Sequence, residues 1–250
     1  MQIPSVENVF ARAWNLLTRN WVIVVPGVVV GLAVGIVSGV FSMTQPDTYG
    51  EPTGTAMEFA YGFAGFVSNL VLAVITIAGY IVTQCYTAGM AGAAWHRGTT
   101  TLGDGSRAVH DDAGNVFVAG IGILLCGIVA VLLAPITLFL SIFAFYLFTL
   151  YTIAAAVVGN RRGFDALRES FAIARARFGT TLIVGVLLGL LQLVGRVAAH
   201  VFGYTPLLGP VVAAIVAQIV VAYATLVVVG EYLVLRGAPA PPGAGVPPDF

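Results

Sequence analysis

Long apolar runs alternate with short polar segments along this chain. A membrane-crossing helix needs roughly 20 apolar residues, and such runs predict crossings at about 21–43, 59–86, 178–197 and 211–235. The run 116–158 carries no charge and, at 1.5 Å per residue, is about twice as long as one crossing requires. Pro135 lies near its middle and disfavours helix. We therefore expect a turn at Ala134–Thr137 between two crossings, 116–134 and 137–158.

Polar segments separate these runs. They predict loops at 44–58 and 96–115, and a turn near Gly203–Pro210. The first run is longer than a signal-peptide core and is expected to be retained as a helix. Residues 238–250 are rich in proline, glycine and alanine, which predicts a disordered tail. The fold class expected for residues 1–237 is therefore all-α, a polytopic membrane bundle of six transmembrane helices.

Composition agrees with a membrane protein. Of 250 residues, 59% are hydrophobic and 9% charged, whereas soluble domains carry about 25% charged residues. A soluble globular domain, a disordered chain and a nucleic-acid binder are excluded. Phosphate-loop, G-x-S-x-G and H-E-x-x-H motifs are absent, so we expect no cofactor and no enzymatic activity. The histidines and aspartates of 96–112 lack the ligand set of a structural zinc site, so we expect no metal.

The arginines predict the orientation. Basic residues favour cytoplasmic loops, and a cytoplasmic N-terminus places every arginine except Arg196 on the inner side. The expected location is the cell (cytoplasmic) membrane, with both termini in the cytoplasm. Three tryptophans then fall at the inner boundary, where their amphipathic rings are favoured: Trp14, Trp21 and Trp95.

Short amphipathic segments precede the odd-numbered crossings. Apolar residues recur at helical spacing over 6–21 and 164–178, and more weakly after Asp104. This predicts a threefold repeat of an interfacial helix followed by a transmembrane hairpin. Arg168, Arg175 and Arg177 occupy the polar face of the segment 164–178, where they would contact anionic lipid headgroups or a membrane or cytoplasmic partner protein.

Several of these segments resemble a known group of proteins. They are Phe164-Asp-Ala-Leu-Arg-Glu-Ser-Phe171, Tyr86-Thr-Ala-Gly-Met90, and Phe10 with Trp14 and Trp21. They are similar to segments in a broad group of uncharacterised six-helix bacterial and archaeal membrane proteins. That group includes the membrane domain found beside some glycerophosphodiester phosphodiesterases. The resemblance covers residues 5–236 and implies the fold. It implies no phosphodiesterase activity, because that activity belongs to a soluble domain that these 250 residues do not contain.

Glycines recur every four residues in the first crossing, at Gly27, Gly31, Gly35 and Gly39, and once more in the fifth, at Gly185 and Gly189. Small residues let helices approach closely in a membrane. We expect helix-packing faces here, either within one bundle or between copies in a homo-oligomer.

Three ionisable side chains lie in or beside the crossings. Arg196 and His200 share a helix face and would either anchor the outer interface or bind an anionic headgroup or substrate. Glu231 would reach the inner surface, pair with an inner arginine, or serve as a carboxylate that couples to a proton or cation.

The function expected from these features is that of a non-catalytic membrane module that scaffolds, regulates or assembles with a membrane partner. The alternatives are a transporter or carrier of a small or amphiphilic solute, and lipid handling at Arg196 and His200. The centre of the bundle distinguishes them. A polar cavity that reaches Asn69, Gln192 or Gln218 favours transport, whereas a dry, closely packed centre favours the module.

Overall fold

The computed structural model describes residues 6–44, 55–203 and 209–237, and every regular element within them is helical. The α-helices are α1 (Val6–Arg19), α2 (Val25–Thr44), α3 (Thr55–Arg97), α4 (Leu102–Leu133), α5 (Leu140–Thr149), α6 (Thr152–Val157), α7 (Phe164–Ala176), α8 (Phe178–Gly203) and α9 (Gly209–Leu235). A short 3-10 helix, Trp21–Val24, joins α1 to α2. The predicted tail 238–250 and most of the predicted loop 44–58 lie outside the described residues.

Helix length and composition indicate a multi-pass membrane protein. Five described segments are long and apolar enough to cross a bilayer: Asn69–Arg97, Leu102–Leu133, Leu140–Val157, Phe178–Ala198 and Val211–Leu235. A sixth crossing is counted if Val6–Arg19 and Trp21–Val37, which are bent by 90° relative to one another, form one span. The number six and the threefold repeat stay predictions.

A buried amide fixes the corner between α1 and α2. The Asn20 Nδ2 atom donates to the carbonyl oxygens of Leu16, at 3.0 Å, and Gly98, at 3.1 Å. Its Oδ1 atom accepts from the Thr100 backbone N–H at 3.0 Å. Because a buried amide must be hydrogen-bonded to be tolerated, Asn20 holds this corner against the connection between α3 and α4.

The loop predicted at 96–115 is wrong over most of its length, because α3 continues to Arg97 and α4 begins at Leu102. An N-terminal cap supplies the reason. The Asp104 carboxylate accepts from the Thr101 backbone N–H at 2.9 Å and pairs with Arg97 at 2.6 Å. Such a cap satisfies donors that a helix start leaves open, and it outweighs the low helix propensity of the glycines in this segment.

The expected turn near Pro135 is confirmed. Residues 134–139 form it, and Leu138 and Phe139 adopt positive φ angles of 51° and 67°. The crossing that follows is nevertheless not one continuous helix. It is interrupted at Leu150–Tyr151, between α5 and α6.

Ser170 of α7 occupies this interruption. Its hydroxyl accepts from the Tyr151 backbone N–H at 3.1 Å and donates to the Phe148 carbonyl at 2.6 Å. In a membrane interior, broken helical hydrogen bonds need such replacement partners. Ser170 therefore both permits the break and ties α7 to the bundle.

The regularly spaced glycines differ in their surroundings. A Cβ atom added at Gly27 would overlap the Gln218 side chain, one at Gly31 would touch it at 3.6 Å, and one at Gly35 would meet nothing within 4 Å. Gly39 lies outside the residues whose packing the structure describes. In α8, a Cβ at Gly185 would overlap Leu147, whereas one at Gly189 would meet nothing within 4 Å. The helix-packing role of these glycines stays a prediction, which the contacts favour most at Gly27 and Gly185.

Glycines also lie where α3 and α4 pack closely against each other. A Cβ atom added at Gly89 would overlap the Cβ atom of Ala108, and one added at Gly105 would overlap the Tyr86 ring. These two positions let α3 and α4 cross at short range.

Candidate functional site

A cavity of about 470 Å³ lies between the central helices of the bundle. Its wall is mostly apolar. Seven side chains that carry a polar group also line it: Tyr80, Gln84, Tyr146, Thr149, Gln192, Arg196 and Thr225. Ligand sites are typically concave, mostly apolar and supplied with a few polar groups, at volumes of about 300–1,000 Å³. The cavity fits this description.

The lining residues of α9 recur at helical spacing. On α9 the lining residues Ala217, Val221, Ala224 and Val228 follow one another at intervals of three and four, which places them on one face. Small side chains on this face leave the space open. Gly195 of α8, which also lines the cavity, packs closely against α9, because a Cβ there would lie 2.8 Å from a Val220 methyl group.

Among the residues that the structure describes, the cavity is open at one end and closed at the other. Tyr80, which is 61% exposed, and Arg196, which is also exposed, both lie about 26 Å along their helices from the Arg97 and Phe178 ends. At the closed end, the lining residues Ala88, Leu188 and Val229 are buried. Tyr80 and Arg196 therefore mark the open end of the cavity.

The closed end of the cavity faces the end of the bundle where most arginines lie. We call this the basic end; it comprises α1, the connections 98–101 and 158–163, α7, and the C-terminal turn of α9. Trp95 is buried there, although it was expected at the membrane boundary. Its Nε1 atom donates to the Leu226 carbonyl at 2.8 Å, and the Arg12 guanidinium lies 4.5 Å from its ring centre. The other two tryptophans, Trp14 and Trp21, are exposed.

Of the three ionisable candidates, the structure brings only Arg196 to the cavity wall. His200 lies one turn further along α8 and is exposed. The polar residue Gln192 lines the cavity, whereas Asn69 and Gln218 do not.

Glu231 is buried, with 1% of its surface exposed, so the expectation that it reaches the membrane surface is wrong. Its Oε2 atom has no hydrogen-bond partner. Within the described residues it forms no ion pair either, since Arg161 and Arg236 both pair with Glu169 instead.

Glu169 is a structural residue that the sequence reasoning missed. It accepts a hydrogen bond from the Tyr232 hydroxyl at 2.7 Å, pairs with Arg161, and lies 3.5 Å from the Arg236 Nε atom. This cluster joins α7 to the end of α9. The one available signal was the position of Glu169 next to Ser170, on the side of α7 that turns toward the bundle.

The predicted basic segment is helical as α7. Its side chains Ala166, Leu167, Ser170 and Ala174 are buried. Arg168, Arg175 and Arg177 are all exposed. No side-chain hydrogen bond or ion pair of Arg175 or Arg177 is seen among the described residues.

A second, shallower cleft of about 320 Å³ lies at the basic end, between α3 and α4. It contains His96, Arg107, Asp111 and Asp112, together with the Arg97–Asp104 ion pair. Opposite charges alternate along its wall, and no group of three or more potential metal ligands occurs among the described residues. The charged residues of this cleft therefore have both signs, whereas the charged residue of the cavity wall is Arg196.

Comparison of the chain with known protein families, curated proteins and solved structures finds no match. The resemblance to the six-helix membrane proteins therefore stays a prediction.

Proposed function

We propose that this protein binds a small or amphiphilic solute in the central cavity and carries it into or across the membrane. The observation that supports this proposal is the cavity itself, which holds Gln84, Gln192 and Thr225 at membrane depth. A dry, closely packed centre would have favoured a module without a ligand. Polar side chains that face an open space inside a bundle are typical of solute pathways.

The chemistry of the wall suggests the class of solute. Arg196 is the charged side chain among the lining residues and stands at the open end. A guanidinium binds carboxylate and phosphate groups through paired hydrogen bonds. The remainder of the wall is largely apolar. We therefore propose an amphiphile that carries one acidic group, either a free organic acid or a lipid with an anionic headgroup.

Filling the cavity tests the proposal. Ala217→Phe places a ring in the cavity, whereas Ile215→Phe on the same helix changes an exposed side chain, and both variants should fold. Protein purified from native membranes into nanodiscs should contain a bound acidic small molecule or lipid, identified by mass spectrometry. Ala217→Phe and Arg196→Gln should lose at least tenfold of that occupancy, and Ile215→Phe should retain it.

The identity of the bound molecule separates carriage of a free solute from lipid handling. Flux of a free acid into proteoliposomes would support a carrier, and stoichiometric lipid without flux would support lipid handling. An empty cavity in wild-type protein, or equal occupancy in Ala217→Phe and Ile215→Phe, would refute ligand binding.

A second candidate function is the non-catalytic module that assembles with a partner. The exposed side chains of Arg168, Arg175 and Arg177 favour it, because they present positive charge on a helix held rigidly through Ser170. Replacing all three with glutamine should release a protein that co-purifies with the wild type while cavity occupancy stays unchanged. Retention of the same partners by this variant would argue against a docking role.

We further propose that the basic end faces the cytoplasm and that the protein resides in the cell membrane. The supporting observation is the collection of exposed arginines at that end, as the positive-inside tendency requires. A cysteine introduced as Arg168→Cys should react with an impermeant thiol reagent in inverted vesicles but not in intact cells. Labelling in intact cells would reverse the topology.

A further inference from the structure

Three polar side-chain atoms of the described residues are buried without a hydrogen-bond partner: Tyr146 Oη, Thr152 Oγ1 and Glu231 Oε2. They belong to α5, α6 and α9, which border the central cavity. Buried polar atoms are normally satisfied, so an unpartnered carboxyl oxygen requires an explanation. Glu231 poses the problem most sharply, because it is the ionisable member of the set.

Glu231 continues the face of α9 that lines the cavity. The lining residues Ala224 and Val228 lead to Glu231 at helical spacing, and Glu231 lies about 4.5 Å beyond Val228 toward the basic end. It therefore lies just below the closed end of the cavity.

A pair of phenols links Glu231 to the cavity wall. The Tyr151 phenol lies within electrostatic reach of both Glu231 and Tyr146, and Tyr146 lines the cavity. Tyr151 is fully buried at the interruption between α5 and α6, and its hydroxyl donates to Thr181 Oγ1 over 3.4 Å. Tyr151 thus interacts electrostatically with Glu231 and with Tyr146, which lines the cavity wall.

The charged groups around α9 do not neutralise Glu231. The helix packs against α1, α2, α3, α6 and α8. Arg12 of α1 lies over the Trp95 ring, and Arg161 and Arg236 pair with Glu169. On α3, three titratable side chains bond toward α4 or its start: Cys85, Tyr86 and Arg97. On α8, Arg196 and His200 lie toward the other end of the bundle. Outside α9, Tyr151 is the titratable group of the described residues for which an interaction with Glu231 is seen.

We infer that Glu231 is a proton-binding site at the closed end of the cavity, which takes up one proton from water as the carboxylate and returns it to water on deprotonation. A carboxylate without a counter-charge in an apolar interior is strongly disfavoured, and uptake of a proton removes the charge. The neutral acid also gains an O–H donor, which the carboxylate lacks. The site rests on its own geometry. If the proposed carrier function also holds, proton uptake at Glu231 would couple to solute binding in the cavity.

Infrared difference spectroscopy of the purified protein in nanodiscs, without added solute, tests this inference. A pH titration of the wild type should reveal the carbonyl stretch of a protonated carboxylic acid, with a shift in D₂O. The band should be absent in Glu231→Gln and present in Glu169→Gln, the matched control in which the carboxylate paired with arginines is altered. Because proton binding is measured without solute, its failure and the failure of solute binding are distinguishable.

A second variant provides a test that does not depend on whether Glu231→Gln folds. Tyr151→Phe retains the carboxyl group and removes only a neighbouring-helix phenol, so the band should persist. An identical titration in wild type and folded Glu231→Gln, or loss of the band in folded Tyr151→Phe, would overturn the inference. A titration that moves with sodium concentration at constant ionic strength would also overturn it, in favour of a sodium site.

Discussion

The close crossing of α3 and α4 makes Gly89→Ala a sharp test of the packing. A Cβ atom added at Gly89 would lie 3.3 Å from the Asp104 carbonyl oxygen and would overlap the Ala108 Cβ atom. Two carbon atoms prefer a separation of about 3.5–4.0 Å, and neither neighbour is the mobile end of a long side chain. The two helices must therefore move apart to accept the substitution.

Substitution by alanine is expected to lower the free energy of unfolding at Gly89 and to raise it at a glycine that has no close neighbour. Replacing glycine with alanine inside a helix gains about 1 kcal/mol of helix propensity, whereas overpacking costs about 1–3 kcal/mol. Gly35→Ala gains the propensity without a clash, because nothing lies within 4 Å of the new atom. We expect Gly89→Ala to be less stable than Gly35→Ala by about 1–3 kcal/mol.

Unfolding of the purified variants in one detergent, by heat and by denaturant, measures these differences. The double variant Gly89→Ala/Ala108→Gly moves the methyl group from one helix to the other and should recover most of the loss, since contacting residues couple in double-mutant cycles. Equal stability of Gly89→Ala and Gly35→Ala, or no recovery in the double variant, would refute the described crossing.

Two further substitutions test the hydrogen bonds at the basic end. Trp95→Phe removes the donor to Leu226 and should cost about 1–2 kcal/mol, whereas Trp21→Phe, at an exposed ring, should leave the unfolding midpoint unchanged; equal midpoints for the two variants would argue against a buried Trp95. Ser170→Ala leaves the Tyr151 N–H without its partner and should cost about 1–3 kcal/mol. Faster amide hydrogen exchange at Tyr151 would accompany that loss, and unchanged exchange would contradict the bridging role.

The lengths of the apolar runs were sufficient to predict that the protein is helical. Runs of apolar residues long enough to cross a bilayer correspond to helices in the structure, and Pro135 marked a turn because it cannot continue a helix. The prediction failed where polar residues are helical. The segment 96–115 has the composition of a loop, yet the cap formed by Thr101 and Asp104 starts α4 within it.

The cavity and the helix break could not be predicted from periodicity. The interruption at Leu150–Tyr151 contains neither proline nor glycine, and it exists because Ser170, distant in sequence, replaces the missing helical bonds. Gln192 lines the cavity, whereas Gln218 and Asn69 do not. Which polar side chain faces a neighbour and which faces open space depends on helix rotation, and a uniformly apolar pattern leaves that rotation undetermined.

The distribution of satisfied and unsatisfied polar groups supports placing the site beside α5, α6 and α9. At the basic end, the buried polar groups of Asn20, Trp95 and Ser170 all have partners. The buried side-chain atoms without partners in the described chain lie instead on Tyr146, Thr152 and Glu231. Each such atom costs about 1–3 kcal/mol when nothing satisfies it. Satisfied hydrogen bonds therefore stabilise the basic end, whereas the unsatisfied groups lie on helices that border the central cavity of the described residues.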